Sequence, residues 1–378
     1  MSGLYIHIPF CKSRCIYCGF YSTTEREFVP RYVEALCEEL RLRSSEEAAS
    51  AGLDTIYMGG GTPSQLQMKH IDAVLDTIYK YYKVKDCAEI TMECNPDDVT
   101  EEFSQWIKDT AVNRVSMGAQ TFHASLLHFI RRRHTPEQVE DAVERLRRAG
   151  IGNISVDLMF GFPGESLAQW REDIDSALRL GVEHLSAYSL MYEEGTALYR
   201  MLEQGYVEEC ADEVYEEMYY TLIDRLADSG YEHYEISNFA RSGFRSRHNS
   251  SYWQGVPYIG VGAAAHSYDG NTRQWNVSDI RRYAESLNRG QVPAEVEVLT
   301  ADMKYDDAVM TRLRTKEGLG LDYVALAFGS EYRNFLMQEA ERHLRDGLLR
   351  LDETTKSLVL TRKGLMLSDT VMSDLMRV

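Results

Sequence analysis

The stretch HIPFCKSRCIYCGF, residues 7–20, sets Cys11, Cys15 and Cys18 in a CxxxCxxC array directly after the β-branched run LYIHIP at 4–9. A structural zinc site takes four ligands, usually from two knuckles, whereas Cys37, Cys87, Cys94 and Cys210 are scattered and form no second knuckle. An iron–sulfur cube also takes four ligands, so three thiolates leave one iron open, and an open position is how a metal site acquires chemistry. The trio therefore points to a cluster with one reactive corner.

Outward from this loop, short strand-like runs recur at 4–9, 55–61, 88–94, 114–120, 153–161 and 184–190. Segments of helical periodicity lie between them, around 27–50, 64–83, 101–110, 136–149 and 166–180. Such alternation predicts an α/β fold with a parallel sheet, a partial (β/α)6 barrel over residues 1–200. The strands end in PFC, GGGTP, ECNP, AQTF and GFPGE, and in parallel α/β architectures ligands collect at the carboxyl ends of strands.

Residues 201–299 read as an extension of the barrel. Val214, Met218, Leu222 and Leu226 recur at helical spacing, followed by the strand-like YEHYEISNF and an aromatic loop, RHNSSYWQGVPYIGVGAAAHSY at 247–268. Residues 300–378 read as a small winged-helix-like α+β module. With 12 Lys or Arg against 13 Asp or Glu, it lacks the basic surface that DNA binding needs.

The whole chain carries a net charge of −18, which repels a polyphosphate backbone, so no nucleic-acid partner is expected. No apolar run is long enough to span a bilayer, although a peripheral membrane contact stays open. The first residues lack the pattern of an export signal, and seven cysteines, odd in number and unevenly placed, suit a reducing compartment. A cytoplasmic protein is expected.

The CxxxCxxC loop resembles that of the radical S-adenosylmethionine (SAM) superfamily. The resemblance implies a [4Fe–4S] cluster on Cys11, Cys15 and Cys18, with SAM chelating the fourth iron through its amino and carboxylate groups and yielding a 5′-deoxyadenosyl radical on reductive cleavage. It also implies that Tyr17 and Gly19 stand beside the cluster. Gly59, Gly60, Gly61 and Thr62 would cradle the SAM amino group, since glycines at a strand end let backbone approach a ligand closely. Glu93, Gln120, Arg132 and Asp157 match SAM-contacting positions. A carboxylate can accept from ribose hydroxyls and a guanidinium can pair with a carboxylate. Arg131 and Arg133 flank Arg132, and an exposed basic run is more often a solvated face. Tyr5 and His7 alternate onto one sheet face, and the resemblance sets both near cluster and SAM.

The combination of YIHIPFC, GGGTP, ECNP and the carboxy-terminal module resembles the HemN/HemW family of oxygen-independent coproporphyrinogen III oxidases and haem chaperones. Phe20 stands where the oxidase has a further cysteine, the cysteine loop begins at residue 11 with no long extension before it, and HNSSYW at 248–253 looks like the HNxxYW signature of the chaperone branch. The resemblance thus implies haem binding, with His248 on the iron, Tyr252 and Trp253 over the porphyrin, His266 in reserve, and delivery to an apo-haemoprotein. Radical oxidative decarboxylation of coproporphyrinogen III is the alternative, and whether SAM is used catalytically stays open.

Overall fold

A computed structural model describes residues 2–46, 49 and 52–377. Six parallel strands stand side by side in sequence order: β1 (Gly3–Ile8), β2 (Leu53–Gly60), β3 (Val84–Cys94), β4 (Arg114–Gln120), β5 (Ile154–Phe160) and β6 (His184–Ser189). Helices Val29–Arg43, Met68–Tyr81, Glu101–Ile107, Pro136–Arg148 and Leu167–Arg179 alternate with them, as the periodicity predicts. Positions 47, 48 and 50 of the first helical expectation lie outside the described residues.

Alternation within each strand divides the two faces by chemistry. Leu4, Ile6 and Ile8, then Ile56, Met58, Ile90, Met92, Val115, Met117, Val156 and Leu185, point outward into one core with Leu36, Leu40, Val74, Ile78, Leu146 and Ile174 of the helices. Each such fully buried aliphatic side chain contributes roughly 1.5–3 kcal/mol.

The other face is polar, and register aligns it in rows. Tyr5 is opposite Tyr57, Tyr57 opposite Thr91, and Thr91 opposite Arg114. One step toward the carboxyl ends, Glu93 is opposite Ser116, Gly118 opposite Asp157 and Asp157 opposite Ser186. A barrel interior this polar is built for ligands, because polar groups without partners are costly to bury.

The middle region continues the same sheet at both ends. The hairpin β7 (Glu232–Glu235) and β8 (Asn238–Ala240) joins β6, and β9 (Tyr258–Val261), β10 (His266–Tyr268), β11 (Thr272–Asn276) and β12 (Ala294–Val298) extend outward from β1. Three expectations are corrected here. YEHYEISNF is two strands around a turn at Ile236 and Ser237 instead of one run. Val214 is exposed, and Tyr219 takes its place beside Met218, Leu222 and Leu226 on the buried stripe of helix Asp212–Asp228. The aromatic segment read as a loop contains helix Arg247–Trp253 and two strands.

The carboxy-terminal module forms its own antiparallel sheet, β13 (Leu319–Gly320), β14 (Leu349–Asp352) and β15 (Ser357–Leu360), with β15 in the centre. Tyr305, Val309, Leu336, Leu358 and Val371 form a core separate from that of the barrel.

Candidate metal and cofactor site

A cavity of about 440 Å3 opens at the carboxyl ends of the six strands. Cys11, Cys15, Cys18, Tyr17 and Gly19 line it together with Gly60, Gly61, Thr62, Glu93, Gln120, Arg132 and Asp157, so positions far apart in the chain share one chamber. All three cysteines carry free thiols. Burial pushes the Cys11 and Cys18 thiols up, and the neighbouring Cys15 adds to both shifts. A cationic cluster relieves that cost, since thiolates are the metal-binding form. The Thr62 hydroxyl lies 3.6 Å from Cys11 Sγ, and Arg132 Nη1 donates toward Cys15 Sγ at 3.9 Å, so the sulfurs already have polar company. Three thiols around a chamber, with donors beside them, fit a [4Fe–4S] cluster.

The arginine ambiguity is resolved by position. Arg131 is exposed at the cavity rim, Arg133 pairs with Asp97 at 2.8 Å, and Arg132 reaches the cysteine loop and also donates to the Gly118 carbonyl. Gln120 sits at a left-handed φ of 69°, next to a register shift between β4 and β5. Such strain in a non-glycine residue is concentrated at functional sites.

The glycines have reasons of their own. A Cβ on Gly60, whose φ is 108°, would stand 2.4 Å from the His7 ring, and one on Gly59 would stand 2.9 Å from Glu93 Oε1. Glu93 accepts from the Tyr57 hydroxyl at 2.8 Å and from the Gly60 amide at 3.1 Å. Burial pushes its carboxyl up to about 7, with Asp157 adding to the shift. Burial also raises the Asp157 carboxyl, whose oxygen accepts from Ser116 Oγ at 3.4 Å.

Tyr5 and His7 do share a face, but they stand behind the glycine turn and not on the cavity wall. His7 Nε2 bonds the Tyr21 carbonyl and Nδ1 bonds the Tyr5 hydroxyl, both at 3.0 Å, so the pair braces the turn from below.

His248 stands on helix Arg247–Trp253 instead of in a loop, and both ring nitrogens have partners within the fold. His248 is 0% exposed; Nδ1 bonds Thr55 Oγ1 at 2.8 Å and Nε2 bonds the Tyr252 hydroxyl at 2.7 Å. The ring stacks on Tyr57 with 5.0 Å between centroids, and burial, helped by the Arg114 charge, holds it neutral by lowering its pKa to about 3. Tyr252 also meets Tyr258 edge-on, and Trp253 lies under the Arg314 guanidinium. The motif residue that reaches the cavity is Asn249. His266 is exposed beside Trp275, and neither ring nitrogen has a hydrogen-bond partner among the described residues.

Arg114, Asn249, Tyr57 and Ser186 line the chamber and escaped the reading of the sequence. Tyr57 precedes Gly59 by two, and alternation alone puts it on the inner face. Arg114 opens a strand and looks like its polar edge.

The comparisons agree with this geometry. Residues 5–177 match the family model of the radical SAM superfamily, and residues 299–367 match that of the HemN C-terminal domain. The haem chaperone HemW of Bacillus subtilis is 34% identical over 98% of both chains. The protein of the same name from Mycobacterium tuberculosis strain H37Rv is 36% identical over 99% of this chain and 94% of its own. The chain belongs to the HemW family of radical SAM proteins. Among solved structures, the radical SAM coproporphyrinogen III oxidase HemN of Escherichia coli matches with a TM-score of 0.86, covering all of this chain and 90% of that one at 20% identity, a likeness of fold. Membership in the radical SAM superfamily implies a [4Fe–4S] cluster and SAM. No described helix is long and apolar enough to cross a membrane.

Proposed function

We propose that this HemW-family protein binds haem and delivers it to apo-haemoproteins, using a [4Fe–4S] cluster and SAM held in the chamber. One observation carries the cofactor half: Cys11, Cys15 and Cys18 share a single cavity with Thr62, Glu93, Gln120, Arg132 and Asp157. The haem half is supported by full-length relatives that bear the name haem chaperone.

In this reading residues 1–200 form the cofactor-bearing barrel, residues 201–299 extend it with the HNSSYW helix, and residues 300–378 form the carboxy-terminal domain. The three cysteines hold the cluster and the backbone of Gly59, Gly60, Gly61 and Thr62 receives the SAM amino group. Arg132 faces its carboxylate, while Glu93, Gln120 and Asp157 orient the nucleoside. Tyr17 and Gly19 shape the cluster loop, and Tyr5 and His7 keep the glycine turn rigid. When bound, the cluster supplies one electron at a time to SAM. The chain's own part is to bind, orient and exclude water. His248 would hold the haem iron through Nε2 in place of its hydrogen bond to the Tyr252 hydroxyl, a neutral imidazole being the form that ligates. Tyr252 and Trp253 then cover the porphyrin, and His266 is the reserve ligand.

A second reading, oxidative decarboxylation of coproporphyrinogen III, is favoured by the shared fold with HemN. Against it, Phe20 replaces the additional cysteine expected of the oxidase and is 70% exposed at the cavity edge. Anaerobic reconstitution, haem titration and a product assay with coproporphyrinogen separate the two. The proposal expects a stoichiometric haem band and no protoporphyrinogen. Turnover to protoporphyrinogen without a haem complex would replace it with the oxidase.

A further inference from the structure

On the floor of the chamber stands a charged group for which the cluster and SAM leave no task. Arg114 is 1% exposed and lines the cavity, yet its Nε and Nη1 have no hydrogen-bond partner. No described carboxylate forms an ion pair with it. The flanking acids are engaged elsewhere, Glu93 with Tyr57 and Gly60, and Asp157 with Ser116. They lend the guanidinium a favourable field without occupying its donors. Directly opposite in register, the Thr91 hydroxyl is likewise buried without a partner. The side-chain amide of Asn249 faces the same cavity and makes no hydrogen bond to a described residue.

A guanidinium buried without partners costs several kcal/mol, and unpartnered donors in the cavity wall, Arg114 and Asn249, with Thr91 buried behind them, specify what would relieve that cost. The Arg fork matches two oxygens borne on one atom, an amide can complete the shell, and a neutral acceptor would leave the charge uncompensated. In a chain of net charge −18, an anionic ligand also needs a dedicated cation to enter.

We propose that Arg114, with Asn249, receives a carboxylate of the tetrapyrrole. This rests on the haem reading, since the propionates are that ligand's carboxylates. The methionyl carboxylate of SAM is the competing source of the same chemistry, but Arg132 already stands at Cys15 where the open iron would lie. The Arg114 backbone is six residues before Gln120 on β4, roughly 20 Å lower at about 3.3 Å per residue. The two arginines thus serve two levels of one chamber.

The experiment compares haem with haem dimethyl ester, in which both propionates are neutral, on anaerobically reconstituted wild type, Arg114→Gln, Arg114→Lys and Asn249→Ala, with SAM binding measured on the same samples. Wild type should favour the free acid by roughly ten-fold or more, the value of one charge-assisted bond. Arg114→Gln should lose that preference while still binding SAM, Arg114→Lys should keep part of it, and Asn249→Ala should weaken it less than Arg114→Gln. Equal binding of acid and ester by the wild type would overturn the proposal even if Arg114→Gln proved too unstable to purify. A drop in SAM affinity with the preference intact would overturn it too, and would give Arg114 to SAM. Failure of the wild type to bind either porphyrin would sink the haem reading itself and this assignment with it, a result distinct from equal binding.

Discussion

His248 is held neutral in the fold by burial and by Arg114, with its pKa lowered to about 3, while an unfolded chain protonates it near 6.5. Because the folded value is depressed, this residue's contribution to stability is present above the unfolded value and lost as pH falls from about 6.5 toward 3. At pH 5 the deficit should reach about 2 kcal/mol. Urea denaturation of the cluster-free protein at pH 7.5 and 5 should therefore show a smaller acid loss in His248→Gln than in wild type, by about that amount. Equal losses would mean that water reaches the ring. The same enclosure shapes the haem prediction. If iron takes Nε2 from the Tyr252 hydroxyl, Tyr252→Phe removes the competitor and should tighten haem binding several-fold, by the roughly 1 kcal/mol of one hydrogen bond. His248→Ala should abolish the haem absorption band and His266→Ala should leave it. The reverse pattern would move the iron to the exposed ring at His266.

At the scale of elements, the end of β2 carries a close tolerance against a ring held in place by two hydrogen bonds. Gly60 has a backbone that L side chains rarely adopt, and its missing Cβ would fall 2.4 Å from His7. Gly60→Ala should therefore cost about 2 kcal/mol or more in thermal or urea unfolding. It should also impair SAM binding by displacing the amide that Glu93 accepts. An alanine variant with wild-type stability and SAM affinity would show that the turn is free to shift. This turn was legible in the sequence because GGGTP interrupts a β-branched run, and the six strands were legible for the same reason. The helix Arg247–Trp253 was not. RHNSSYW holds mostly residues of modest helix propensity, and what secures it comes from elsewhere: the Ser246 hydroxyl caps Asn249, and the Glu89 carboxylate accepts from the amides of Arg247 and His248 at 3.0 Å each. A carboxylate 158 residues away in sequence leaves no local trace. Arg114 was missed for a related reason, since a polar first residue of a strand signals an edge until the register shows which face it joins.

Across the whole molecule, the carboxy-terminal module has its own core and meets the barrel extension at several points, among them the pairs Arg273–Asp307 and Arg362–Asp224 and a seam centred on Glu235. Glu235, 2% exposed on β7, accepts from Arg314 Nη2 at 2.8 Å and Nε at 3.1 Å, while its second oxygen accepts from Asn238 and the Ser237 amide. Backbone bonds run beside it, from the Ile236 amide to the Arg314 carbonyl and from the Lys316 amide to the Tyr234 carbonyl. The Arg314 guanidinium then lies 5.0 Å from the centre of the Trp253 ring, so a single residue joins the module, the hairpin and the HNSSYW helix. Magnitudes decide how much this matters. A solvent-exposed pair would be worth at most about 1 kcal/mol, but removing one partner of a buried pair leaves an uncompensated charge and costs about 3–5 kcal/mol. Arg314→Ala should fall near the lower end of that second range, because the arginine side chain is 26% exposed and water can reach part of the gap. Glu235→Gln in the Arg314→Ala background should recover part of the loss, since a neutral amide is cheaper to leave there than a carboxylate. Chemical denaturation of the two single variants and the double variant measures both terms. A cost for Arg314→Ala below about 0.5 kcal/mol, in the range of ordinary surface substitutions, would show that the seam rests on its backbone bonds and that the module does not hold the HNSSYW helix through this arginine.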